Sequence, residues 1–141
     1  MAEKCEGGFM IVNGPPGVGC PVISSVSGAD YVIVVTEPTP IVLHDLERER
    51  PSRCDALWHP MGAIINKADI SQRYLVKTME LAKGNGATIL GRIPLDDAVP
   101  KSIAYRTPLV DFAPDSPAAG VLTVVFGRLS RILAGEAAGD M

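Results

Sequence analysis

The apolar residues of this chain fall into short runs that are separated by longer segments of mixed polarity. Four runs have the length and apolar composition of β-strands. These runs are Phe9–Val12, Tyr31–Thr36, Gly62–Asn66 and Ala87–Gly91. They are continuously apolar rather than alternating, which indicates strands buried on both faces of a parallel sheet. The pattern therefore predicts an α/β fold of three layers, with a mostly parallel sheet of four or five strands and helices on both faces.

Helix signals lie in the segments between and after these runs. Ser71 is a predicted N-cap, apolar residues follow it at helical spacing, and Lys83–Gly86 is a predicted stop. Ser116 and Pro117 predict the start of a last helix, with serine at the cap and proline at the first helical position. Its predicted apolar stripe comprises Val121, Leu122, Val124, Val125, Leu129, Ile132 and Leu133. We expect residues 1–141 to form a single domain without internal repeats.

The composition and net charge exclude some classes of function. The chain has 141 residues, of which 47% are hydrophobic and 21% charged, and this is typical of a globular domain. A formal charge of −3 argues against a nucleic-acid partner held by bulk charge. No apolar run approaches the roughly 20 residues of a membrane span. The first residues contain no apolar signal core, so a cytoplasmic location without a membrane partner is expected.

Cysteine and histidine give weak signals. Cys5, Cys20 and Cys54 are odd in number and widely spaced, so they predict neither a disulfide framework nor a CxxC metal pair. His44 and His59 are not at metal-ligand spacing, and a structural role is the preferred interpretation of His44.

A glycine- and proline-rich loop follows the first predicted strand and carries the strongest chemical signal. Backbone N–H groups of such a loop can approach a phosphate, although a tight turn is the competing interpretation. Gly14 and Gly19 have the spacing of a P-loop, but Cys20 and Pro21 stand where that motif needs lysine and serine or threonine. The chain contains no Gly-Lys pair, so it has no Walker A motif.

Four sequence blocks together resemble one protein family. Asn13–Val22 matches D-G-P-P-G-x-G-C-P-V, and Thr36–Thr39 with His44–Glu47 matches T-E-P-T…H-D-L-E. Asn66–Asp69 matches N-K-x-D, and Gly91–Val99 matches G-x-I-P-x-D-x-x-V. In this order they resemble the C-terminal half of a MinD/ParA-type (CobQ/CobB/MinD/ParA) P-loop ATPase, in the branch with a ferredoxin-like iron–sulfur insertion. The resemblance implies a partial P-loop NTPase fold that lacks the Walker A strand.

The resemblance implies roles for the first block, which in the family is switch II. Gly14, Pro15, Pro16 and Gly17 would lie by the nucleotide, with the Gly17 N–H near the γ-phosphate. Asn13 takes the place of the aspartate that holds a Mg²⁺-bound water, and its amide brings no negative charge. Asn13 and Gly17 are thus the candidate catalytic residues, and Asn13 is the candidate metal position.

The other two blocks would bind the base. Asn66 would read adenine with its side-chain amide, Lys67 and Asp69 belong to the same block, and Pro94 and Leu95 would line the ring. A simple turn at the strand end is the alternative interpretation of Asn66 and Lys67. The implied cofactors are ATP and Mg²⁺, and a 4Fe-4S cluster would belong only to the N-terminal half, which is not in this sequence.

The expected function is that of an ATP-binding half of a MinD/ParA-like ATPase that does not hydrolyse ATP alone. Expected partners are the missing N-terminal half or a second copy, and an iron–sulfur or redox protein is a further candidate. The alternatives are a non-catalytic interaction or scaffold protein without nucleotide binding, and a small redox module using Cys20. Without the P-loop strand, Phe9–Val12 and Tyr31–Thr36 must pair directly or leave apolar edges open, which predicts aggregation, dimerisation or low stability.

The segment from Glu49 to Pro60 does not fit the pattern. A crossover helix is expected there, but the segment is polar, aperiodic and interrupted by Pro51. A reading shifted by one base can encode a family-like helical sequence, so a compensated frameshift is one hypothesis and a divergent loop is the other.

Overall fold

The computed structural model describes residues 8–16, 26–48 and 60–135, and the architecture below refers to these residues. Strands and helices alternate as far as the third strand, and three helices follow it. The strands are β1 (Val32–Thr36), β2 (Met61–Ile65) and β3 (Ala87–Arg92). The helices are α1 (Pro40–Arg48), α2 (Gln72–Gly84), α3 (Ala98–Ala104), α4 (Leu109–Phe112) and α5 (Pro117–Leu133).

The three strands form a parallel sheet in the order β1-β2-β3. The α/β fold predicted from the apolar runs is therefore confirmed, with three strands in the described residues. Every residue of β2 after Met61 is buried, as expected of a central strand covered on both faces.

Alternate residues of β2 feed two separate cores. Ile64 packs with Leu90 and Val125 on the side of α5, whereas Ile65 packs with Leu75 on the side of α2. This division follows from the two-residue period of a strand, which sends neighbouring side chains to opposite faces. Helices on both faces complete the three predicted layers.

Both helix starts lie where the sequence predicts them. Ser116 is the N-cap of α5, and its Oγ accepts the Ala119 N–H at 3.2 Å. Ser71 is the N-cap of α2, but its side chain makes no capping hydrogen bond. In the predicted stripe of α5, Val125 is fully buried, while Val124 is 55% exposed and lies outside the core.

A bulge in β3 fixes the position of α5. The register between β2 and β3 shifts after Ala63, so that Leu90 has no direct partner residue on β2. The Leu90 carbonyl instead accepts a hydrogen bond from the Arg128 guanidinium at 3.0 Å. The neighbouring Gly91 leaves room for Val125 against the strand. Helix α5 is thus tied to the sheet by one polar and one apolar contact.

The strand predicted at Phe9–Val12 does not form. These four apolar residues are irregular in conformation and between 62% and 89% exposed. A strand is stabilised by hydrogen bonds to a neighbour, and the sheet of the described residues ends at β1. The segment therefore stays outside the sheet.

Strand β1 also lacks neighbours among the described residues, on one face and along its outer edge. Val35 pairs in register with Ile64 and so lies on the α5 side of the sheet, yet Ile33 and Val35 are 40% and 65% exposed. Within the described residues, no strand pairs with the outer edge of β1 and α5 does not cover its face. Of the two arrangements that the sequence left open, the described residues adopt open edges rather than direct pairing.

Candidate functional site

The carboxyl ends of the three strands meet at one edge of the sheet. Thr36, Ile65 and Arg92 are partners in register, so the loops that follow the strands lie side by side. In open α/β sheets, ligands bind at this edge. Here it brings together the blocks that contain Asn66, Asp69 and Leu95.

Asn66 is the first residue after β2, and both its backbone and its side chain are held. Its N–H donates to the Thr36 carbonyl at 2.7 Å, which continues the β1–β2 ladder by one bond. Its Oδ1 accepts the Lys67 N–H at 3.0 Å. The Nδ2 group has no hydrogen-bond partner among the described residues. Asn66 can therefore donate two hydrogens to a ligand from a fixed position.

Lys67 adopts the left-handed backbone conformation, with φ of 51°. A residue with a Cβ pays a steric cost there, and such strain concentrates at ligand sites. Its ammonium lies 2.8 Å from Glu37 Oε1, so this half-exposed ion pair joins the loop after β1 to the loop after β2. The resemblance implied a nucleotide-binding role for Lys67, and the structure shows its ammonium in an ion pair with Glu37.

Asp69 and the Pro94–Leu95 pair belong to adjoining loops. The Asp69 Oδ1 accepts the Leu95 N–H at 2.7 Å. Next to this bond, the Ala68 N–H donates to the Ile93 carbonyl at 2.9 Å. The structure thus brings four of the predicted base-binding residues to one edge: Asn66, Asp69, Pro94 and Leu95.

Asp96 is a key residue of this edge that the sequence did not single out as a site residue. One carboxylate oxygen accepts the Ala98 N–H at 2.9 Å and the other accepts the Ala118 N–H at 3.0 Å. Hydrogen bonds from Ala118 and then Ala98 lower the pKa of Asp96 below its ordinary value of 3.8, because they favour the ionised form. A single side chain therefore joins the β3 loop to the first turns of α3 and α5. An ordinary capping residue bonds only to nearby N–H groups, whereas Asp96 also accepts from Ala118, which lies 22 residues away in the sequence.

This arrangement predicts a pH-dependent contribution to stability. Because the folded-state pKa is depressed, Asp96 stabilises the fold above its unfolded pKa and loses that effect as the pH falls through the folded value. We expect Asp96→Ala to lower the melting temperature by several degrees at pH 7, and this difference should shrink steadily below about pH 4. Thermal melts monitored by circular dichroism from pH 7 to pH 3 measure both.

Asp97→Ala is the matched control, because Asp97 is the adjacent aspartate and its side chain makes no capping hydrogen bond. It should leave the melting temperature nearly unchanged. An Asp96→Ala deficit that is equal at pH 7 and pH 3 would contradict the role assigned to the ionised carboxylate.

The first sequence block does not join this edge in the described residues. Asn13, Gly14, Pro15 and Pro16 lie in an exposed, irregular segment, and Gly17 and Cys20 fall outside the described residues. The hypothesis of a frameshift between Glu49 and Pro60 also falls there, except for Pro60 itself. Among the described residues, no three His, Cys, Asp or Glu side chains group together as metal ligands.

The residues present at the edge fit the base of a nucleotide. Asn66 offers a fixed donor pair, and Leu95 is apolar yet 60% exposed. This combination suits the flat apolar face and polar edge of a purine.

Among the helices of the described residues, none has both the length and the apolar character that a membrane span requires.

Comparison with known proteins gives sequence relatives that include an uncharacterized protein and an iron-sulfur cluster carrier. The chain is 31% identical over 122 residues to an uncharacterized ATP-binding protein of Methanocaldococcus jannaschii, covering 86% of this chain and 46% of the relative. It is 27% identical over 136 residues to an iron-sulfur cluster carrier protein of Aquifex aeolicus, covering 89% and 37%. The chain thus spans less than half the length of these relatives. No protein-family profile matches it.

Solved structures show the same fold. The septum site-determining protein MinD of Pyrococcus horikoshii, complexed with Mg-ADP, superposes with a TM-score of 0.66 at 19% identity, covering 88% of this chain and 51% of that one. A ParA family ATPase of Chlorobium tepidum gives 0.58 at 24% identity, covering 80% and 46%. The resemblance predicted from the sequence blocks is therefore confirmed: the chain is similar to the MinD/ParA-type P-loop ATPases and has part of their fold.

Proposed function

We propose that this chain is the base-binding half of a MinD/ParA-like ATP site and that a second polypeptide segment supplies the phosphate-binding half. The observation that carries the proposal is Asn66, whose amide is fixed at the carboxyl edge of the sheet with its Nδ2 hydrogens available. The ATP-binding relative and the MinD complex with Mg-ADP support a nucleotide as the ligand class.

The phosphate end of the site needs groups that these residues do not bring. The sequence has no Gly-Lys pair, and the ammonium of Lys67 is paired with Glu37. Bound nucleotide would bring Mg²⁺ to its phosphates, and Asn13, the residue that the resemblance places there, carries no charge to hold it. ATP hydrolysis therefore depends on residues outside this chain.

The open side of β1 supports a partner that completes the sheet. Its outer edge has unpaired backbone groups, and Ile33 and Val35 are exposed beside it. Within the described residues nothing pairs with this edge, and an apolar strand and helix from an N-terminal half would satisfy both features, with a second copy of the chain as the other candidate. An iron–sulfur cluster, if the intact assembly has one, belongs to that half.

The same exposed surface favours a second candidate function, a non-catalytic interaction protein. Such a protein would bind a partner through Ile33, Val35 and Phe9–Val12 without binding nucleotide. Titration of the isotope-labelled chain with ATP, followed by NMR, separates the two. Saturable shifts at Asn66 and Leu95 support the ATP site, and partner binding with no such shifts supports the interaction protein.

The ATP site makes a prediction about base selectivity. ATP should bind more tightly than GTP, because Nδ2 can donate to a ring nitrogen of adenine while Oδ1, whose second lone pair is not used by its bond to Lys67, accepts from the adenine amino group. Asn66→Ala should weaken ATP binding by about 1–3 kcal/mol, the usual worth of a paired amide–base contact. NMR titration with each nucleotide measures the affinities even when they are weak.

Asn85→Ala is the control, because Asn85 is an amide at the C-cap of α2, before the opposite end of β3. It should bind ATP as the unmodified chain does. Equal ATP and GTP affinities that Asn66→Ala leaves unchanged would show that Asn66 does not contact the base.

A further inference from the structure

The loop after β3 is held by the β2 loop through a short ladder of hydrogen bonds. The Ile93 N–H donates to the Ile65 carbonyl at 2.8 Å, and the Ala68 N–H donates to the Ile93 carbonyl at 2.9 Å. These two bonds extend the β2–β3 pairing beyond the end of the strands. Residue 94 interrupts the ladder, because proline has no N–H to donate.

Asp69 provides the next link after this interruption. Leu95 carries the first N–H after Pro94, and that N–H donates to Asp69 Oδ1 at 2.7 Å, across 26 residues of sequence. A bond of this length to a carboxylate belongs to the short, charge-assisted class. The side chain of Asp69 thus replaces the backbone carbonyl that would have continued the ladder.

The other side of the same loop is held by Asp96, through its bonds to Ala98 and Ala118. Leu95 is therefore fixed between two anchored residues, yet its side chain remains 60% exposed. A single exposed leucine on a mobile loop carries no information. An exposed leucine whose backbone is fixed on both sides, in the loop beside Asn66, is a preformed apolar surface.

We propose that Asp69 is a positioning residue that sets Leu95 as the platform for a purine ring beside Asn66. This proposal rests on the ATP site proposed above. It changes the role that the sequence implied for Asp69, because one carboxylate oxygen is committed to Leu95 rather than to the base. Preorganising the platform removes the ordering cost that a flexible loop would add to binding.

The test uses the full chain with three variants: Asp69→Ala, Asp69→Asn and Glu80→Ala. Asp69→Asn keeps an oxygen acceptor for the Leu95 N–H, whereas Asp69→Ala removes it. Glu80→Ala removes a carboxylate from the exposed surface of α2 and is the control for charge. Amide hydrogen exchange at Leu95 reports the link, NMR titration with ATP reports binding, and amide exchange at Ala118, which Asp96 holds, reports the rest of the edge.

We expect Asp69→Ala to speed exchange at Leu95 by roughly tenfold or more, as loss of a hydrogen bond to a charged group implies. ATP affinity should fall about five- to tenfold, because the freed loop must be ordered on binding, while exchange at Ala118 stays unchanged. Glu80→Ala should behave nearly as the unmodified chain does, and Asp69→Asn should fall between it and Asp69→Ala, because a neutral amide oxygen accepts a weaker hydrogen bond than a carboxylate.

Two results overturn the positioning role while leaving the ATP site standing. One is ATP binding that Asp69→Ala does not weaken, and the other is exchange that becomes faster at Leu95 and Ala118 alike, which marks a general structural defect. A chain that binds no ATP although the Leu95 amide is protected would overturn the proposed ATP site itself, and with it the role of Leu95 as a platform.

Discussion

The purified chain should hydrolyse ATP no faster than a protein-free control, and an N-terminal half added in trans should raise the rate by at least about 10²-fold. Phosphoryl transfer depends on cationic and backbone donors placed around the phosphates, and loss of a single such donor commonly costs 10²–10³ in rate. This chain has no Gly-Lys pair, and its Asn13 is an exposed neutral amide. A phosphate-release assay on the chain, with and without the matching half of the Methanocaldococcus jannaschii relative, measures the difference.

The control for this experiment is the same half with the lysine of any Gly-Lys pair that it contains replaced by alanine. That half should still associate with β1, since the exposed Ile33 and Val35 do not depend on the lysine, but it should not support turnover. Hydrolysis that stays with the isolated chain through successive chromatographic steps would contradict the assignment of the phosphate machinery to another segment.

Gly91→Ala should destabilise the fold by about 1–3 kcal/mol, the usual cost of overpacking a core. A Cβ on Gly91 would clash with Val125 Cγ2 and would lie 3.3 Å from Val121 Cγ1. Val125 is fully buried between α5 and the sheet, so the helix cannot yield without breaking its other contacts. Differential scanning calorimetry should show a melting temperature lowered by roughly 4 °C for each kcal/mol.

Two further variants locate the cause of this loss. Gly120→Ala adds the same methyl group to an exposed position of α5 with open space around it, and it should raise stability by up to about 1 kcal/mol. Combining Gly91→Ala with Val125→Ala should cost less than the sum of the two single changes, because the added methyl fills part of the space that Val125 leaves. If the losses in the free energy of unfolding are additive, the methyl group added at Gly91 does not contact Val125.

Much of the architecture could be predicted from local patterns. The runs at Tyr31–Thr36, Gly62–Asn66 and Ala87–Gly91 became β1, β2 and β3, displaced by one residue at most. The fourth run, Phe9–Val12, has the same composition but formed no strand. A strand requires a hydrogen-bonded neighbour, and no pattern within a run of four residues says whether the neighbour is present.

The candidate site divides in the same way. Asn66 and Leu95 could be found from the sequence, because each follows an apolar run in a block that resembles a known family. The partner of Lys67 could not, because a lysine after a strand has many acidic side chains within reach. Only the parallel pairing of β1 with β2 brings Glu37 to within 2.8 Å of it.

The sequence by itself determined the features that depend on a few consecutive residues. Ser116 and Pro117 start a helix, and neighbouring residues of β2 face opposite sides of the sheet, because caps and strand periodicity are local properties of the backbone. The tertiary structure decided which carboxylate meets which distant N–H: Asp69 holds Leu95 across 26 residues, and Asp96 holds Ala118 across 22. Such contacts form only after the sheet has set the loops side by side, so no local pattern can specify them.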